Sequence, residues 1–455
     1  MSHIAINPST GQTISSHPEM TPPELRAAIA AGHKAYLRWR TVPVTARIEP
    51  LRTTARLLRE RAEQYAALMA QEMGKPLAQG RGEVEKCAWA CEYYAEHAEA
   101  FLAPEMVKTD ALRSYVAYRP IGIVFAIMPW NFPFWQVLRF AAPTLAGGNA
   151  ALLKHAPNVP GCALAMETLL RDAGFPEGLF QTLLISVAQA KSVIRHKHVA
   201  AVTLTGSTAA GKAVAKEAGA RLKKCVLELG GSDPYLVLAD ADLGEAIEAC
   251  ATSRLINSGQ SCIAAKRFLV VESLRVEFER LLLERMKRVR AGDPMQPDSD
   301  IGPLARADLR DRLHDQVQRS VAAGARLLLG GSVPPGRGYF YPATILTDVA
   351  KGMPAYSEEL FGPVATIITV KNAKAAVKVA NDTSYGLGAA VFTGDVGWGE
   401  RIALDELEAG SCFVNAFVRS DPRMPFGGIK ESGIGRELGR HGMLEFQNAK
   451  TVYVR

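Results

Sequence analysis

Two kinds of hydrophobic periodicity divide the chain. Between residues 22 and 105, apolar residues recur at the spacing of an amphipathic helix, as in residues 24–29 and again in residues 48–73. Residues 111–118 are instead a short stretch rich in aromatic and β-branched side chains, which predicts a strand. We therefore expect a helical N-terminal region that ends in a single strand.

From residue 121 onward, short apolar segments alternate with helical stretches. The predicted strands are residues 122–127, 150–153, 200–204 and 225–228 in a first block, and residues 267–271, 365–370 and 388–393 in a second block. Strands that alternate with helices are typical of a parallel, doubly wound sheet covered on both faces. The sequence thus predicts two α/β domains. A further strand at residues 449–455 needs an edge to pair with, for which another subunit is one candidate.

Length and composition limit the class of protein. A chain of 455 residues is too long for one hydrophobic core, and 48% hydrophobic with 22% charged residues is typical of a globular enzyme. The net charge of +7 arises from basic residues interspersed with acids, which favours solvated helix faces over a nucleic-acid surface. No apolar run reaches the ~18 residues of a membrane-spanning helix. Seven cysteines without a Cys-x-x-Cys pair, and no signal-peptide pattern, predict a cytoplasmic location.

One loop has the features of a phosphate site. Residues 205–212 follow a predicted strand and open a helix, where free N–H groups and the positive helix end attract phosphate. Gly206, Gly211 and Lys212 nearly match a Walker A loop, but Ala213 replaces the Ser or Thr that would hold Mg²⁺. A dinucleotide and a mononucleotide fit the loop about equally, and a P-loop hydrolase is the weaker alternative.

Three side chains are candidates for catalysis. Cys262 follows small and polar residues, which predicts a turn, although a single cysteine is more often a small buried hydrophobe. Glu228 ends an apolar strand, where partial burial would suit a general base; a solvated strand-end glutamate is the alternative. Asn131 lies between two prolines, as an oxyanion donor or as a local turn residue. The histidines lack the spacing of a zinc site, so no metal is predicted.

The candidate catalytic residues and the phosphate loop belong to a set of short segments that occur together in the chain, in a fixed order. The segments concerned are residues 129–133 (Pro-Trp-Asn-Phe-Pro), Lys154, and residues 205–211, 228–231 (Glu-Leu-Gly-Gly), 259–262, 358–363 and 425–428. Each segment alone is weakly specific. Their joint order and separations resemble the aldehyde dehydrogenase superfamily over nearly the whole chain, and that joint match is highly specific.

The resemblance implies a mechanism and a cofactor. It assigns Cys262 as the nucleophile that attacks the aldehyde carbon, and Asn131 with the Cys262 N–H as oxyanion donors. It assigns Glu228 as the base that activates water for thioester hydrolysis, and Glu437 as a proton relay. The cofactor implied is NAD or NADP, bound by Trp130, Lys154, His155, Ala156, Pro157, Gly206, Ser207, Gly211, Leu229, Glu359 and Phe361.

The resemblance also implies the architecture and assembly. A Rossmann-type NAD(P)-binding domain would span residues 1–108 and 122–229, and an α/β catalytic domain would span residues 230–428. A small β oligomerisation unit would combine residues 109–121 with residues 440–455. The expected assembly is a homodimer or a homotetramer, with no nucleic-acid or membrane partner.

Within the superfamily, the chain looks closest to bacterial succinate-semialdehyde dehydrogenases, through residues 154–159 and 229–234. Arg139 stands where that group places a substrate-carboxylate arginine, and Ser420 in the tunnel loop would add a hydrogen bond. A second arginine of the group is replaced by Ile256, and pairing of Arg139 with an acid of the protein itself stays open. The expected reaction is oxidation of succinate semialdehyde to succinate, with glutarate semialdehyde or other small aliphatic aldehydes as alternatives.

Cofactor preference depends on position 157. An acidic residue three places after Lys154 would bind ribose hydroxyls and repel a 2′-phosphate. Pro157 does neither. We therefore expect use of both cofactors, with a lean toward NAD because no permanent second cation stands beside Lys154. Partial protonation of His155 would weaken that lean.

Overall fold

The structure is a computed structural model that describes residues 2–455, in which eighteen strands and sixteen α-helices form. The strands are β1 Ser2–Ile6, β2 Thr13–Pro18, β3 Glu105–Met106, β4 Arg113–Pro120, β5 Ile123–Met128, β6 Ala150–His155, β7 Phe180–Thr182, β8 Val199–Thr205, β9 Lys224–Glu228, β10 Asp233–Val237, β11 Ala265–Val271, β12 Arg326–Leu329, β13 Thr344–Thr347, β14 Val364–Val370, β15 Gly388–Phe392, β16 Ser411–Val414, β17 Gly433–Ile434 and β18 Gln447–Val454. The helices are α1 Pro22–Trp39, α2 Val44–Arg47, α3 Glu49–Glu60, α4 Ala62–Met73, α5 Leu77–Leu102, α6 Trp135–Ala146, α7 Pro160–Asp172, α8 Val187–Arg195, α9 Thr208–Gly219, α10 Leu243–Leu255, α11 Arg275–Lys287, α12 Ala307–Ala322, α13 Pro354–Ser357, α14 Ala373–Asn381, α15 Val396–Arg401 and α16 Gly439–Glu445.

The first predicted α/β block forms a six-stranded sheet. Its strand order is β17-β9-β8-β5-β6-β7, and all neighbours are parallel except β17, which runs antiparallel to β9. Strands β5 and β6 are almost entirely buried because helices cover both faces, which explains their continuous apolar sequences. The four predicted strands of this block are confirmed, and β7 was not predicted.

The second block forms a seven-stranded sheet. Its order is β12-β13-β14-β11-β10-β15-β16, parallel throughout except for β12 at the edge. The predicted strands correspond to β11, β14 and β15, so the prediction of two α/β sheets is confirmed. Cys262 lies just before β11, on the turn that was predicted for it.

The C-terminal strand pairs within its own chain. Strand β18 runs antiparallel to β4, from Gln447 opposite Pro120 to Val454 opposite Arg113, and β3 completes a three-stranded sheet. Another subunit is therefore not needed to supply the edge. Strand β3 joins this sheet although it precedes the boundary expected at residue 108, and the domain division itself stays a prediction.

The N-terminal helices form where the sequence supplies end signals. Thr21 and Glu24 form a reciprocal capping box at the start of α1, and Gly74 ends α4 in the left-handed conformation. The long helix α5 packs against α3, α4 and α6, and so brings one of its faces toward the residues before Cys262. Within residues 2–455, no helix is both long and apolar enough to cross a membrane.

Candidate active site

The loop before Cys262 has an uncommon backbone conformation. Asn257, Ser258 and Gly259 have φ values of 55°, 55° and 75°, in the left-handed region that costs a non-glycine residue about 1–3 kcal/mol. The side-chain amide of Asn257 stabilises this turn by donating to the backbone oxygen of Asn131 at 2.7 Å. The loop that carries Cys262 is therefore tied to the turn that carries Asn131.

Lys266 fixes the backbone on the other side of Cys262. Its buried Nζ donates to the backbone oxygens of Ser261 (3.1 Å), Cys262 (2.7 Å) and Ala264 (3.3 Å), and lies 3.8 Å from the Glu359 carboxylate. A lysine ammonium has three donors, so these carbonyl oxygens satisfy it. The sequence interpretation missed this residue, although a lysine inside the apolar strand β11 was a signal.

Cys262 lies where two cavities meet. A large cavity of about 580 Å³ and a small cavity of about 350 Å³ are both lined by Cys262 and Gln136. Burial raises the pKa of the Cys262 thiol to about 12, against the opposing effect of the Lys266 ammonium and the Arg139 guanidinium. The resting side chain is therefore a neutral thiol that needs a base before it can attack.

Asn131 is placed beside the nucleophile by the turn that follows β5. Its Nδ2 donates to the backbone oxygen of Gln260 at 3.0 Å, and its side-chain oxygen lies 3.5 Å from Nε2 of Gln136. The side chain is buried and lines the small cavity. One amide hydrogen of Asn131 is thus committed to the loop, and the second can donate to an oxyanion.

Glu228 ends β9 as a buried carboxyl group. Neither of its side-chain oxygens accepts a hydrogen bond from a residue of the described chain. Burial first, and then the nearby Glu437, holds the pKa of Glu228 well above its ordinary value. Its charge is the smallest of the influences on the pKa of Cys262, which it raises. The alternative of a solvated strand-end glutamate is excluded, and the environment suits a general base.

Arg139 forms a buried ion pair with Glu437, with side chains only 2% and 4% exposed. The Arg139 guanidinium also donates to Gln136 at 3.0 Å and to the Thr205 hydroxyl at 3.2 Å, and it lies 5.0 Å from the centre of the Phe426 ring. The structure thus shows the alternative in which Arg139 pairs with an acid of the protein. Arg139 lines the large cavity, but its charge is already neutralised, which argues against the expected role of binding a substrate carboxylate.

The N-terminus of α6, the helix that carries Arg139, contacts the buried carboxylate of Glu83. One carboxylate oxygen of Glu83 accepts from the backbone N–H groups of Phe134 (2.8 Å) and Trp135 (2.9 Å), and the other pairs with buried Lys75. A carboxylate at a helix N-terminus is favourable because it meets the unpaired N–H groups there. This pair, which the sequence interpretation also missed, sets the position of α6.

A further cation reaches the large cavity from α5. Lys86 Nζ donates to the hydroxyl of buried Ser420 at 2.7 Å and lies 4.4 Å from the centre of the Trp135 ring. Unlike Lys75 and Arg139, Lys86 forms no ion pair within 4.0 Å in the described chain. Burial, and then Arg139, lowers the pKa of Lys86 to about 8. Ser420 lines the cavity as expected, whereas Lys86 was missed.

The phosphate loop forms one wall of the small cavity. Ser207 caps α9 by accepting from the backbone N–H of Ala210 at 3.3 Å, and the first turn of this helix offers N–H groups to an anion. Gly206 lines the same wall. Gly211 allows a close approach, because a Cβ there would lie 2.5 Å from the side chain of Leu229. These features fit a pyrophosphate group.

Glu359 and Phe361 also line the small cavity. Glu359 accepts from the backbone N–H of Gly231 at 3.0 Å, and Phe361 meets Trp130 edge to face with ring centres 5.9 Å apart. A carboxylate and two aromatic rings in the lining of this cavity fit a ribose and a flat ring. The lining therefore suits part of the dinucleotide that the sequence predicts.

Four predicted cofactor residues lie at the end of β6, outside the lining of the small cavity: Lys154, His155, Ala156 and Pro157. Lys154 is buried, which lowers its pKa, and Pro157 is exposed. His155 lies 3.0 Å from the backbone oxygen of Pro133, and burial lowers its pKa to about 4. His155 is therefore neutral at pH 7, so the idea that it is partly protonated is wrong.

The structure argues against the P-loop alternative, because the lysine that would bind phosphate already has a carboxylate partner. Lys212 forms an ion pair with Glu431 at 2.5 Å on the protein surface, and so it is held by a carboxylate of the chain itself. Nor do residues 2–455 contain a cluster of three or more His, Cys, Asp or Glu side chains that could hold a metal ion. The structure places a thiol beside a cavity whose lining fits parts of a dinucleotide.

Comparison with known proteins identifies the family of the chain. The model of the aldehyde dehydrogenase family matches residues 2–452, and the chain belongs to the aldehyde dehydrogenase family. A Synechocystis protein named probable succinate-semialdehyde dehydrogenase, NADP(+), is 48% identical over 454 residues, which covers 100% of both chains. An Escherichia coli protein named succinate semialdehyde dehydrogenase, NAD(P)+, is 45% identical over 450 residues, which covers 99% of this chain and 97% of the relative.

Among solved structures, succinic semialdehyde dehydrogenase from Streptococcus pyogenes in complex with NADP+ superposes with a TM-score of 0.97. The two are 37% identical, and 99% of each chain is covered. The predicted family and fold are confirmed, and the chain is an NAD(P)-dependent aldehyde dehydrogenase. The names of these relatives carry NADP(+) or NAD(P)+, and they do not support the expected lean toward NAD.

Proposed function

We propose that this enzyme oxidises succinate semialdehyde to succinate with NAD or NADP, through a thioester on Cys262. The observation that carries the proposal is the position of Cys262 between two cavities. The small cavity has the phosphate loop and Glu359, and the large cavity has basic side chains that include Lys86 and Arg139. The names of the relatives support the choice of a semialdehyde that carries a carboxylate.

Cys262 makes the first covalent bond. Its thiol releases a proton to solvent water, and the thiolate sulfur bonds to the aldehyde carbon. The electron pair of the carbonyl bond moves to the oxygen, where the Asn131 side-chain amide and the Cys262 N–H donate to the oxyanion. Donors placed where charge develops are worth much, since losing one typically costs ~10²–10³ in rate.

The chain then releases the acid in a second stage. NAD(P)+, when bound, supplies the hydride acceptor that makes the adduct on Cys262 a thioester. Glu228 removes a proton from water, the water oxygen bonds to the acyl carbon, and the Cys262 sulfur leaves as a thiolate that regains a proton. Glu437 raises the pKa of Glu228 and is paired with Arg139, so it stands in place to pass the proton onward.

For the cofactor, we propose that both forms are used and that NAD is not preferred. Lys154 gives one cation near the adenosine ribose, and Pro157 places no carboxylate there that would repel a 2′-phosphate. The neutral state of His155 leaves Lys154 without a second cation, which would favour NAD. The names of the relatives favour NADP. The neutral His155 and the names of the relatives thus point in opposite directions, and together they support the use of both cofactors.

The assembly and location follow as further proposals. Met106 and Leu112, beside or within the three-stranded sheet, are 67% and 84% exposed, which supports burial of this region in a homodimer or homotetramer. All seven cysteines of the chain lie within residues 2–455 and are free thiols, which supports a reducing, cytoplasmic location. The substrate is a small molecule.

A comparison of catalytic efficiencies tests the proposed function. The purified enzyme is assayed with succinate semialdehyde, glutarate semialdehyde and butyraldehyde, each with NAD and with NADP. We expect the highest kcat/KM for succinate semialdehyde with either cofactor. Equal or higher efficiency with butyraldehyde, which has the same chain length without the charge, would overturn the proposed substrate. A clear preference for glutarate semialdehyde would move the assignment to the longer acid.

A further inference from the structure

A semialdehyde substrate brings one charge into the large cavity. Its carboxylate leaves water on binding, and a buried charge is costly unless it is paired and hydrogen-bonded. A cation that already has a carboxylate partner cannot fully neutralise a second carboxylate. Arg139 is such a cation, because its buried guanidinium is paired with Glu437.

Lys86 and the exposed Arg419 are the cations of the large cavity that have no acid partner in the described chain, and Lys86 is the one that donates to buried Ser420. It projects from α5, whose residues Ala78, Gln79, Gly82 and Glu83 line the same cavity. Within the described part of the chain, its Nζ contacts the Ser420 hydroxyl and the Trp135 ring, and neither carries a negative charge. Arg285, another cation of this lining, is already paired with Glu248. Lys86 is therefore available to a bound anion.

The contact with Ser420 makes a two-point site. Ser420 accepts the hydrogen bond from Lys86, so its own hydroxyl hydrogen is free to donate to a ligand. The ammonium keeps two further N–H donors. Together they present an ammonium and a hydroxyl donor 2.7 Å apart, which suits the two oxygens of one carboxylate.

We propose that Lys86, together with Ser420, binds the distal carboxylate of the substrate and sets the preference for a charged aldehyde over an uncharged one. The assignment rests on the proposed function, since it names the charge partner of that substrate. Arg139 then acts as a positioning residue that holds Glu437 near Glu228. The lowered pKa of Lys86 agrees with a cation that lacks a permanent counter-charge.

The test compares substrate preference across variants. The readout is the ratio of kcat/KM for succinate semialdehyde to kcat/KM for butyraldehyde. Lys86→Met removes the charge but keeps an unbranched side chain, and we expect the ratio to fall by roughly 10- to 100-fold, the range for a lost charge-assisted hydrogen bond. The loss should appear mainly in KM for succinate semialdehyde. Lys86→Arg should restore part of the ratio.

Two further variants serve as controls. Lys374→Met removes the same charge from an exposed position on α14 and should leave the ratio unchanged. Arg139→Met should lower both efficiencies together, because it frees Glu437 from its partner. Inhibition by succinate against butyraldehyde should weaken in Lys86→Met by a factor similar to the fall in the ratio, which measures carboxylate binding apart from oxidation of the semialdehyde.

The outcomes separate this inference from the proposed function. If the unmodified enzyme prefers succinate semialdehyde and Lys86→Met keeps that preference, the role of Lys86 is overturned while the function stands. A selective loss in Arg139→Met with no loss in Lys86→Met would return the carboxylate to Arg139. If the unmodified enzyme shows no preference for succinate semialdehyde, the proposed substrate is overturned, and the role of Lys86 in that preference is overturned with it.

Discussion

The buried pair of Lys75 and Glu83 is expected to carry a large share of local stability. Both side chains are almost fully buried, at 1% and 2% exposure, and Glu83 also accepts from two N–H groups at the start of α6. Removing one partner of a buried ion pair leaves an uncompensated charge and costs about 3–5 kcal/mol. Glu83→Gln keeps an acceptor for α6 but leaves the Lys75 ammonium unpaired. Lys75→Met leaves the Glu83 carboxylate unpaired.

The double variant distinguishes a paired charge from two independent contacts. Independent effects would add to about 6–10 kcal/mol, whereas the double variant buries no charge at this site, so we expect a cost below about 3 kcal/mol. Urea unfolding followed by tryptophan fluorescence gives the three differences in the free energy of unfolding. Single variants that cost under about 1 kcal/mol, or a double variant that equals the sum within ~0.5 kcal/mol, would refute the reasoning.

Three other predictions follow from the site. Gly259→Ala should lower kcat by roughly 100-fold, because its Cβ would lie 2.2 Å from the Gly362 carbonyl carbon and displace the nucleophile loop; unchanged kcat would contradict this. Lys86 loses its charge above its pKa of about 8, so the efficiency ratio of succinate semialdehyde to butyraldehyde should fall as pH rises through 8; a flat ratio would count against it. The titratable and charged groups that influence Lys86 are Arg139, Cys87, Glu83 and Asp421. Efficiencies with NAD and NADP should agree within about tenfold, and strong discrimination against either would rule out dual use.

Most central strands of both sheets could be predicted from the sequence, because burial on both faces gives continuous apolar segments between helical stretches. The central strand β10, which is only five residues long and contains Pro234, was missed. Strands at the sheet edges, such as β12 and β16, are shorter and partly exposed, so their pattern is weaker. The hairpin of β1 and β2 was missed for the same reason. Local periodicity also could not show that β18 pairs with β4, since that partner lies far away along the chain.

The candidate nucleophile, base and oxyanion donor could be predicted because each lies in a short, distinctive segment. The residues that were missed act through partners distant in sequence. A lysine in an apolar strand marks Lys266 as unusual, but the sequence does not show that it binds the carbonyl oxygens around Cys262. The pairing of Arg139 with Glu437 decides whether a guanidinium is free, and it appears only when the chain is folded.

The thioester on Cys262 is tested most directly in the Glu228→Gln variant. A glutamine keeps the shape of the side chain but cannot take a proton from water, so the acyl-enzyme should outlive the first turnover. With succinate semialdehyde and NAD(P)+, we expect a burst of NAD(P)H close to one per active site, and an intact mass raised by one succinyl group located on the Cys262 peptide. The same experiment on Cys262→Ala should show neither. Turnover by Cys262→Ala, or a burst in Glu228→Gln without an acyl group on Cys262, would contradict this expectation.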